Sequence, residues 1–194
     1  MRSLSMRSWM AGFVLLVGLA PRAHAQTNGQ NQGSPMNGDR PILDTSRAQQ
    51  EMALKANGPL QISFGKKSAQ WTAATLAQLP HVTVTVFNEH AKASQTYTGV
   101  PLMELLKPLG VPEKPHGKEF RLYLEAEGSD GYEVVYSVAE VTPDVHDGTV
   151  IVADIMDGKP LPAESGPLQL VATGEKRPAR WVRGLVAIRV LEAK

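Results

Sequence analysis

The sequence predicts an α+β domain that is mainly β, with sheets folded over a small number of short helices. Short apolar stretches, several of them alternating with polar residues, recur between turn residues along most of the chain. Helical apolar spacing is confined to a few short segments. No repeat of about 20–50 residues is visible, which argues against a solenoid or a propeller.

The first 25 residues have the pattern of a secretory signal. Arg2 and Arg7 give a positive start, residues 9–20 form an uncharged and mostly apolar run, and Ala23-His24-Ala25 is a small-x-small cleavage site. Arg2 and Arg7 are not adjacent, so the twin-arginine pattern is absent. We therefore expect a periplasmic or secreted protein without a membrane span after signal cleavage; an uncleaved anchor is the alternative.

Charge and cysteine content exclude several classes of function. The signal contains three arginines and no acidic residue, so its removal changes the formal net charge from +1 to −2. This balance argues against a nucleic-acid binder. The chain has no cysteine, which rules out disulfides, thiolate nucleophiles, zinc–thiolate and iron–sulfur sites, and haem attached through cysteine.

The sequence divides into the signal, a disordered tether over residues 26–57 and a domain over residues 58–194. The tether begins as a polar stretch that buries too little apolar surface to offset chain entropy. A weak helical period follows over residues 41–55, through Ile42, Ala48 and Met52.

Within the domain, alternation and turn residues predict the elements in order. Thr72 should cap a short helix that runs to Leu79, and a second helix should begin near Pro101 and stop at Gly110. The second helix has an apolar stripe of Leu102, Leu105, Leu106 and Leu109. The predicted strands are residues 60–64, 82–86, 120–124, 132–136, 149–156, 168–172 and 185–191, with turns at 128–131 and at Asp157-Gly158.

The loop of residues 176–183 crowds four cations around one aromatic ring. It reads Lys176-Arg177-Pro178-Ala179-Arg180-Trp181-Val182-Arg183. Arginine offers forked donors and a stacking plane, so this composition suits an anion beside a flat ring. The alternative is a solvated basic turn in which Trp181 is a core residue.

Other catalytic patterns are missing from the sequence. The histidines have no spacing typical of a zinc site, and no nucleophile elbow or phosphate-binding glycine loop occurs. Glutamates of the later strands cannot be assigned as an acid–base pair because their separation is unknown.

The order of several short motifs resembles the sulfite-oxidase-type domain of the oxidoreductase molybdopterin-binding family. The likeness covers roughly residues 58–192. It rests on Trp71-x4-Leu76-x2-Leu79-Pro80, Tyr97-Thr98-Gly99-Val100-Pro101-Leu102, Gly128-Ser129-Asp130-Gly131-Tyr132, Asp157-Gly158-Lys159-Pro160-Leu161-Pro162, Gly166-Pro167-Leu168, Gly174 and Arg180-Trp181-Val182.

The resemblance implies a sulfite-oxidase-type molybdopterin-binding fold and a pocket, but the expected metal ligand is missing. In that family a pterin dithiolene and one cysteine hold molybdenum, and the position of the cysteine falls here at Phe87 or Asn88. A histidine and an arginine of the family are matched by Ser165 and Gln169, whereas Arg180 keeps the charge of a lysine. The candidate cofactor-binding residues are Asp130, Tyr132, Lys176, Arg177, Arg180 and Trp181.

Three hypotheses follow. The first is an exported, cofactor-free relative that binds a small anion or serves as an accessory module, with no metal ligands of its own. The second is a molybdopterin-dependent oxidoreductase of the sulfite oxidase type that ligates the metal without cysteine, through the pterin and water or a hard side chain such as Glu89, beside His90. The third is a structural or interaction module that pairs through an open sheet edge. The sequence does not identify the ligand or a protein partner.

Overall fold

The computed structural model describes residues 45–89 and 92–194 of the chain. The predicted signal, the first part of the predicted tether and His90 lie outside the described residues. Within this part, no helix combines the length and the apolar character needed to cross a membrane.

Ten strands and four short helices make up the regular structure of the described residues. The helices are α1 (Thr45–Ala56), α2 (Ala73–Leu76), α3 (Leu102–Leu106) and α4 (Val138–Val141). The strands are β1 (Leu60–Phe64), β2 (Lys67–Trp71), β3 (Val82–Asn88), β4 (Ala93–Pro101), β5 (Leu122–Gly128), β6 (Glu133–Ser137), β7 (Val150–Met156), β8 (Lys159–Pro160), β9 (Gln169–Ala172) and β10 (Leu185–Glu192).

The strands form two sheets. The first has the order β2-β1-β10-β5-β6, and the second has the order β3-β4-β7-β8, with β9 also paired to β7. All pairs are antiparallel except β1 with β10. Strands β1 and β10, the first and last of the domain, lie side by side. The first sheet therefore depends on both ends of the domain.

The main core combines side chains from both sheets with the apolar stripe of α3. Strand alternation directs every second residue of β5 inward, which gives the regular burial pattern of this strand. Fully buried members of the cluster are Leu60, Ile62, Val100, Leu105, Leu106, Leu124, Leu170 and Ile188. The mainly β prediction and its core periodicity are thus confirmed.

Several local predictions are confirmed by their geometry. Thr72 caps α2, because its hydroxyl accepts from the Thr75 amide at 3.2 Å and its own amide donates to the Thr75 hydroxyl at 2.8 Å. Gly110 ends the helical stretch after α3 at a φ of 97°. Asp157 and Gly158 both have positive φ, as a tight hairpin turn requires.

Several boundaries differ from the sequence prediction, and two strands were not predicted. The helix after Thr72 ends at Leu76 rather than Leu79. The strand predicted from residue 120 begins at Leu122, because Phe120 lies in a 3₁₀ turn (Gly117–Arg121) and is 46% exposed. Strands β2 and β4 were not predicted, since their polar residues hide the apolar alternation on which the prediction relies.

The last part of the predicted tether is helical rather than disordered. Helix α1 contains the weak apolar period seen in the sequence, yet Met52 and Leu54 remain exposed. Lys55 forms an ion pair with Glu127 of β5 at 2.5 Å, and Arg189 pairs with the same carboxylate. The Lys55–Glu127 pair connects α1 to the first sheet, and the Arg189–Glu127 pair joins β10 to β5 within that sheet.

A close approach between β4 and β7 yields a stability prediction. A Cβ on Gly99 would overlap the Val152 carbonyl oxygen and the Ala153 Cα. Gly99→Ala should therefore lower the free energy of unfolding by about 1–3 kcal/mol, because the two backbones must separate. Urea unfolding of the variant measures this loss.

Gly65→Asn serves as the matched control. Gly65 sits in the turn between β1 and β2, at a φ of 59°, with open space around it. Asparagine tolerates left-handed backbone, so its cost should stay below about 1 kcal/mol. Equal losses at positions 65 and 99 would contradict the close packing of β4 on β7.

Candidate functional site

Two neighbouring cavities share Trp181 as a wall. The first, here called the amide cavity, has a volume of about 450 Å³, and its lining includes Asn88, Gln95 and Gln169. The second, here called the basic cavity, has a volume of about 500 Å³, and its lining includes Lys176 and Arg177. The fold thus separates the predicted site residues into two groups on either side of one indole ring.

A hydrogen bond and a ring contact hold the indole of Trp181 in place. Its Nε1 donates to the carbonyl of Ala172 at 2.9 Å, and its ring meets the ring of Tyr97 edge-on, with 5.4 Å between centroids. It packs against the main core and against a second, smaller cluster of buried residues (Tyr97, Ile151, Ala153 and Val171), and it also lines both cavities. Trp181 is therefore a fixed wall of the site as well as a packing residue.

Amide and hydroxyl groups dominate one side of the amide cavity. Asn88 Nδ2 donates to Gln95 Oε1 at 2.7 Å, and the Tyr97 hydroxyl donates to the same oxygen at 3.3 Å. Ser165 and Gln169, which the resemblance matches to a histidine and an arginine of the family, are buried in the lining. These neutral groups can orient a polar ligand but cannot neutralise a strongly charged one.

The charges of the amide cavity do not favour a polyanion. Arg183 is the one cation of its lining within the described residues, whereas Asp130 and Glu164 supply two carboxylates. Burial and the charge of Asp157 raise the pKa of Tyr97, against the opposing effect of Arg183. Tyr97 therefore stays a neutral donor at physiological pH.

Asp130 and Tyr132, two of the candidate residues, lie at the turn before β6. The Asp130 carboxylate accepts the Tyr132 amide at 2.9 Å and closes the turn before β6. The Tyr132 hydroxyl donates to the carbonyl of Ala179 in the basic loop. Both residues line the amide cavity together with Trp181, so three of the six candidate residues meet there.

Arg180 lines neither cavity. Its guanidinium contacts Glu140 at 2.8 Å and Glu175 at 2.6 Å, and it lies 4.5 Å above the ring of Tyr136. Burial raises the pKa of Glu140, but hydrogen bonds from Ser137 and Arg180 outweigh this and bring the net pKa below its ordinary value. Arg180 thus serves to attach the loop to α4 and β6.

Lys176 and Arg177 give the basic cavity its charge. Within the described residues neither has an ion pair. The two carboxylates of the same lining are paired: Glu89 with Lys92 at 2.9 Å, and Glu175 with Arg180, which also pairs with Glu140. Lys176 and Arg177 are therefore the charges of this lining that remain available to a ligand. Together with the flat wall of Trp181, they give the cavity a composition that suits an anion.

The position of the family's cysteine is resolved by strand alternation. In β3 the inward face carries Val84, Val86 and Asn88, whereas Phe87 points outward and is 57% exposed. Asn88 therefore stands where the metal ligand is expected. Glu89, the proposed hard ligand, lines the basic cavity instead, and no group of three or more His, Asp or Glu suited to a metal occurs in residues 45–89 and 92–194.

Sequence reasoning missed three residues of the amide cavity. Gln95 and Tyr97 lie on β4, which was not predicted as a strand, although Tyr97 belongs to a recognised motif. Arg183 was noted in the basic loop but was not selected. The register of β4 opposite β3, which pairs Tyr97 with Val84, places Gln95 and Tyr97 in the site.

Comparisons with known proteins agree with this geometry. The sequence pattern of the oxidoreductase molybdopterin-binding domain matches residues 57–194. Among solved structures, sulfane dehydrogenase SoxCD from Paracoccus pantotrophus is similar, with 25% identity and a TM-score of 0.56 over 72% of this chain. The present chain covers 39% of that structure's chain. No curated protein sequence matches.

The facing of Asn88 can be tested with a thiol in a chain that has none. We expect the thiol of an Asn88→Cys variant to react severalfold more slowly with a charged aromatic disulfide than that of Phe87→Cys, because residue 87 is exposed whereas residue 88 is half-buried in the lining of the amide cavity. Absorbance of the released thiolate gives both rates. Equal rates, or faster reaction at position 88, would contradict the assignment.

The role of Arg180 also has a measurable consequence. Arg180→Met should lower the free energy of unfolding by about 1–3 kcal/mol, since it leaves two carboxylates without their partner; the side chain's partial exposure favours the lower end. Lys176→Met removes an equal charge from the same loop and should change stability by less than about 0.5 kcal/mol. Urea unfolding compares the two, and similar losses would show that Arg180 does not anchor the loop.

Proposed function

This chain belongs to the oxidoreductase molybdopterin-binding domain family, of the sulfite oxidase type, and we propose that it acts as a non-catalytic module that binds a small anion. Its secretory pattern supports a periplasmic or secreted location. The chain has the scaffold and the pockets of the family, but its residues are unsuited to the family's metal centre.

The placement of the Asn88 side chain is the observation that supports this proposal most directly. Its amide occupies the inward position where the family places a cysteine, and it is hydrogen bonded to Gln95. Molybdenum in this family takes a soft thiolate from the protein, and an amide is a hard, neutral and weak donor. With no cysteine anywhere in the sequence, the residues present do not fit that metal centre.

The surroundings of Asn88 support the same conclusion. Ser165 and Gln169 stand where the resemblance expects a histidine and an arginine, so the amide cavity lacks the arginine charge that would help to hold an anionic cofactor. Arg183 faces two carboxylates in the same lining. A phosphate-bearing group would lose its hydration there without enough compensating charge.

The basic cavity is the better anion site. Within the described residues, Lys176 and Arg177 are the cations of this lining without an ion pair, and the rigid face of Trp181 forms the wall beside them. Guanidinium and ammonium donors form charge-assisted hydrogen bonds with carboxylate, sulfate or phosphate oxygens. Because both side chains are exposed, binding should be modest and strongly dependent on salt.

Metal content tests the non-catalytic part of the proposal. Protein isolated from its native cells should contain far less than one molybdenum per chain by inductively coupled plasma mass spectrometry. The reason is that no thiolate can complete the family's ligand set. A molybdenum content near one per chain, together with a bound pterin, would refute it.

Anion binding tests the other part. Titration with sulfate in low-salt buffer should give saturable heat in calorimetry, and Lys176→Gln/Arg177→Gln should lose it, because both charged donors are removed. Lys118→Gln/Lys159→Gln removes the same charge from exposed lysines outside this cavity and should bind sulfate normally. Equal weakening in both double variants would show only a general charge effect.

A further inference from the structure

The basic cavity reaches around the free edge of β3. Thr85, Val86 and Phe87 all line it, although consecutive strand residues point to opposite faces of a sheet. A cavity confined to one face would contact only alternate residues. The basic cavity therefore includes the edge of the strand itself.

Among the described strands, β3 is the outer strand of the second sheet and pairs with β4 alone. Within residues 45–89 and 92–194, no backbone hydrogen bond outside that pairing involves residues 82–87. Every second residue of such a strand directs its amide and carbonyl away from the partner strand. The edge thus presents a row of unsatisfied donors and acceptors.

The usual protection of an edge strand is missing from β3. Its seven residues, Val-Thr-Val-Thr-Val-Phe-Asn, include no proline and no charged side chain. Its register with β4 continues from Val82 to Asn88 without a bulge. Proteins normally protect long edges of this kind with lysine, proline or bulges, because an open edge accepts another strand.

We propose that the free edge of β3 binds an extended acidic segment of a partner protein as an additional strand, with a carboxylate of that segment at Lys176 and Arg177. This rests on the proposed anion site, and it names the anion as part of a polypeptide. Backbone pairing supplies the affinity, and the two cations select an acidic sequence.

Charge and shape both favour this occupant. The only unpaired charges in the lining, among the described residues, are positive, so a second copy of this edge, which is itself uncharged, would leave them without partners. The exposed ring of Phe87 offers an apolar contact for alternate side chains of the added strand. An alternating apolar and acidic segment satisfies both features.

The test uses a fluorescent, end-blocked decapeptide of alternating valine and glutamate. Its anisotropy should rise saturably with the protein in low-salt buffer. The Lys176→Gln/Arg177→Gln variant should bind about tenfold more weakly, as expected for the loss of two exposed charge pairs. The Lys118→Gln/Lys159→Gln variant should bind as the unchanged protein does.

Backbone pairing is tested with two N-methylated peptides, one methylated on the valine nitrogens and one on the glutamate nitrogens. Amides of alternate residues lie on opposite edges of a strand, so an added strand depends on one set only. At least one peptide should lose about tenfold or more in affinity. If both bind like the unmethylated peptide, the strand-addition proposal is wrong.

The remaining outcomes separate the two proposals. Sulfate binding without peptide binding overturns the strand addition and leaves the anion site standing. Absence of both overturns the proposed function and this inference with it. A dimer in light scattering that dissociates when peptide is added would show that the edge normally pairs with a second copy, which also overturns the proposed partner.

Discussion

The site depends on how one loop is held against the first sheet. Arg180 joins Glu140 and Glu175 and covers the ring of Tyr136, while the hydroxyl of Tyr136 donates to the Arg180 carbonyl at 2.6 Å. These contacts leave the loop little freedom. Trp181, the next residue, is thereby placed between the two cavities, and each cavity takes its shape from that position.

The four cations of the same loop lie in different surroundings. Arg180 uses its charge internally, Arg183 faces the carboxylates of the amide cavity, and only Lys176 and Arg177 remain for an outside ligand. Four cations close together in the sequence therefore have three different roles. Electrostatic attraction to an external anion is concentrated in the basic cavity.

The chain illustrates how a fold can persist while a reaction site changes. Packing of the core depends on apolar alternation in β5 and β10 and on the consecutive buried residues of β7, and none of this requires a cysteine or a metal. In the function that we propose, the amide of Asn88 stands where the family has a thiolate, and the packing of the core does not depend on that difference. Family membership therefore specifies the scaffold, whereas the chemistry follows from the side chains in the cavities.

The sequence by itself determined the β-rich class, the core positions, the caps at Thr72 and Gly110, and the Asp157-Gly158 turn, because these depend on local periodicity and backbone preference. The sequence also showed that this chain has no cysteine and therefore no thiolate ligand for a metal. Only the tertiary structure decided that Asn88 rather than Phe87 faces the pocket, that Arg180 is used internally, and that β3 is an open edge beside Lys176 and Arg177. Those properties depend on strand register, sheet order and contacts between residues distant in the chain, which local patterns do not specify.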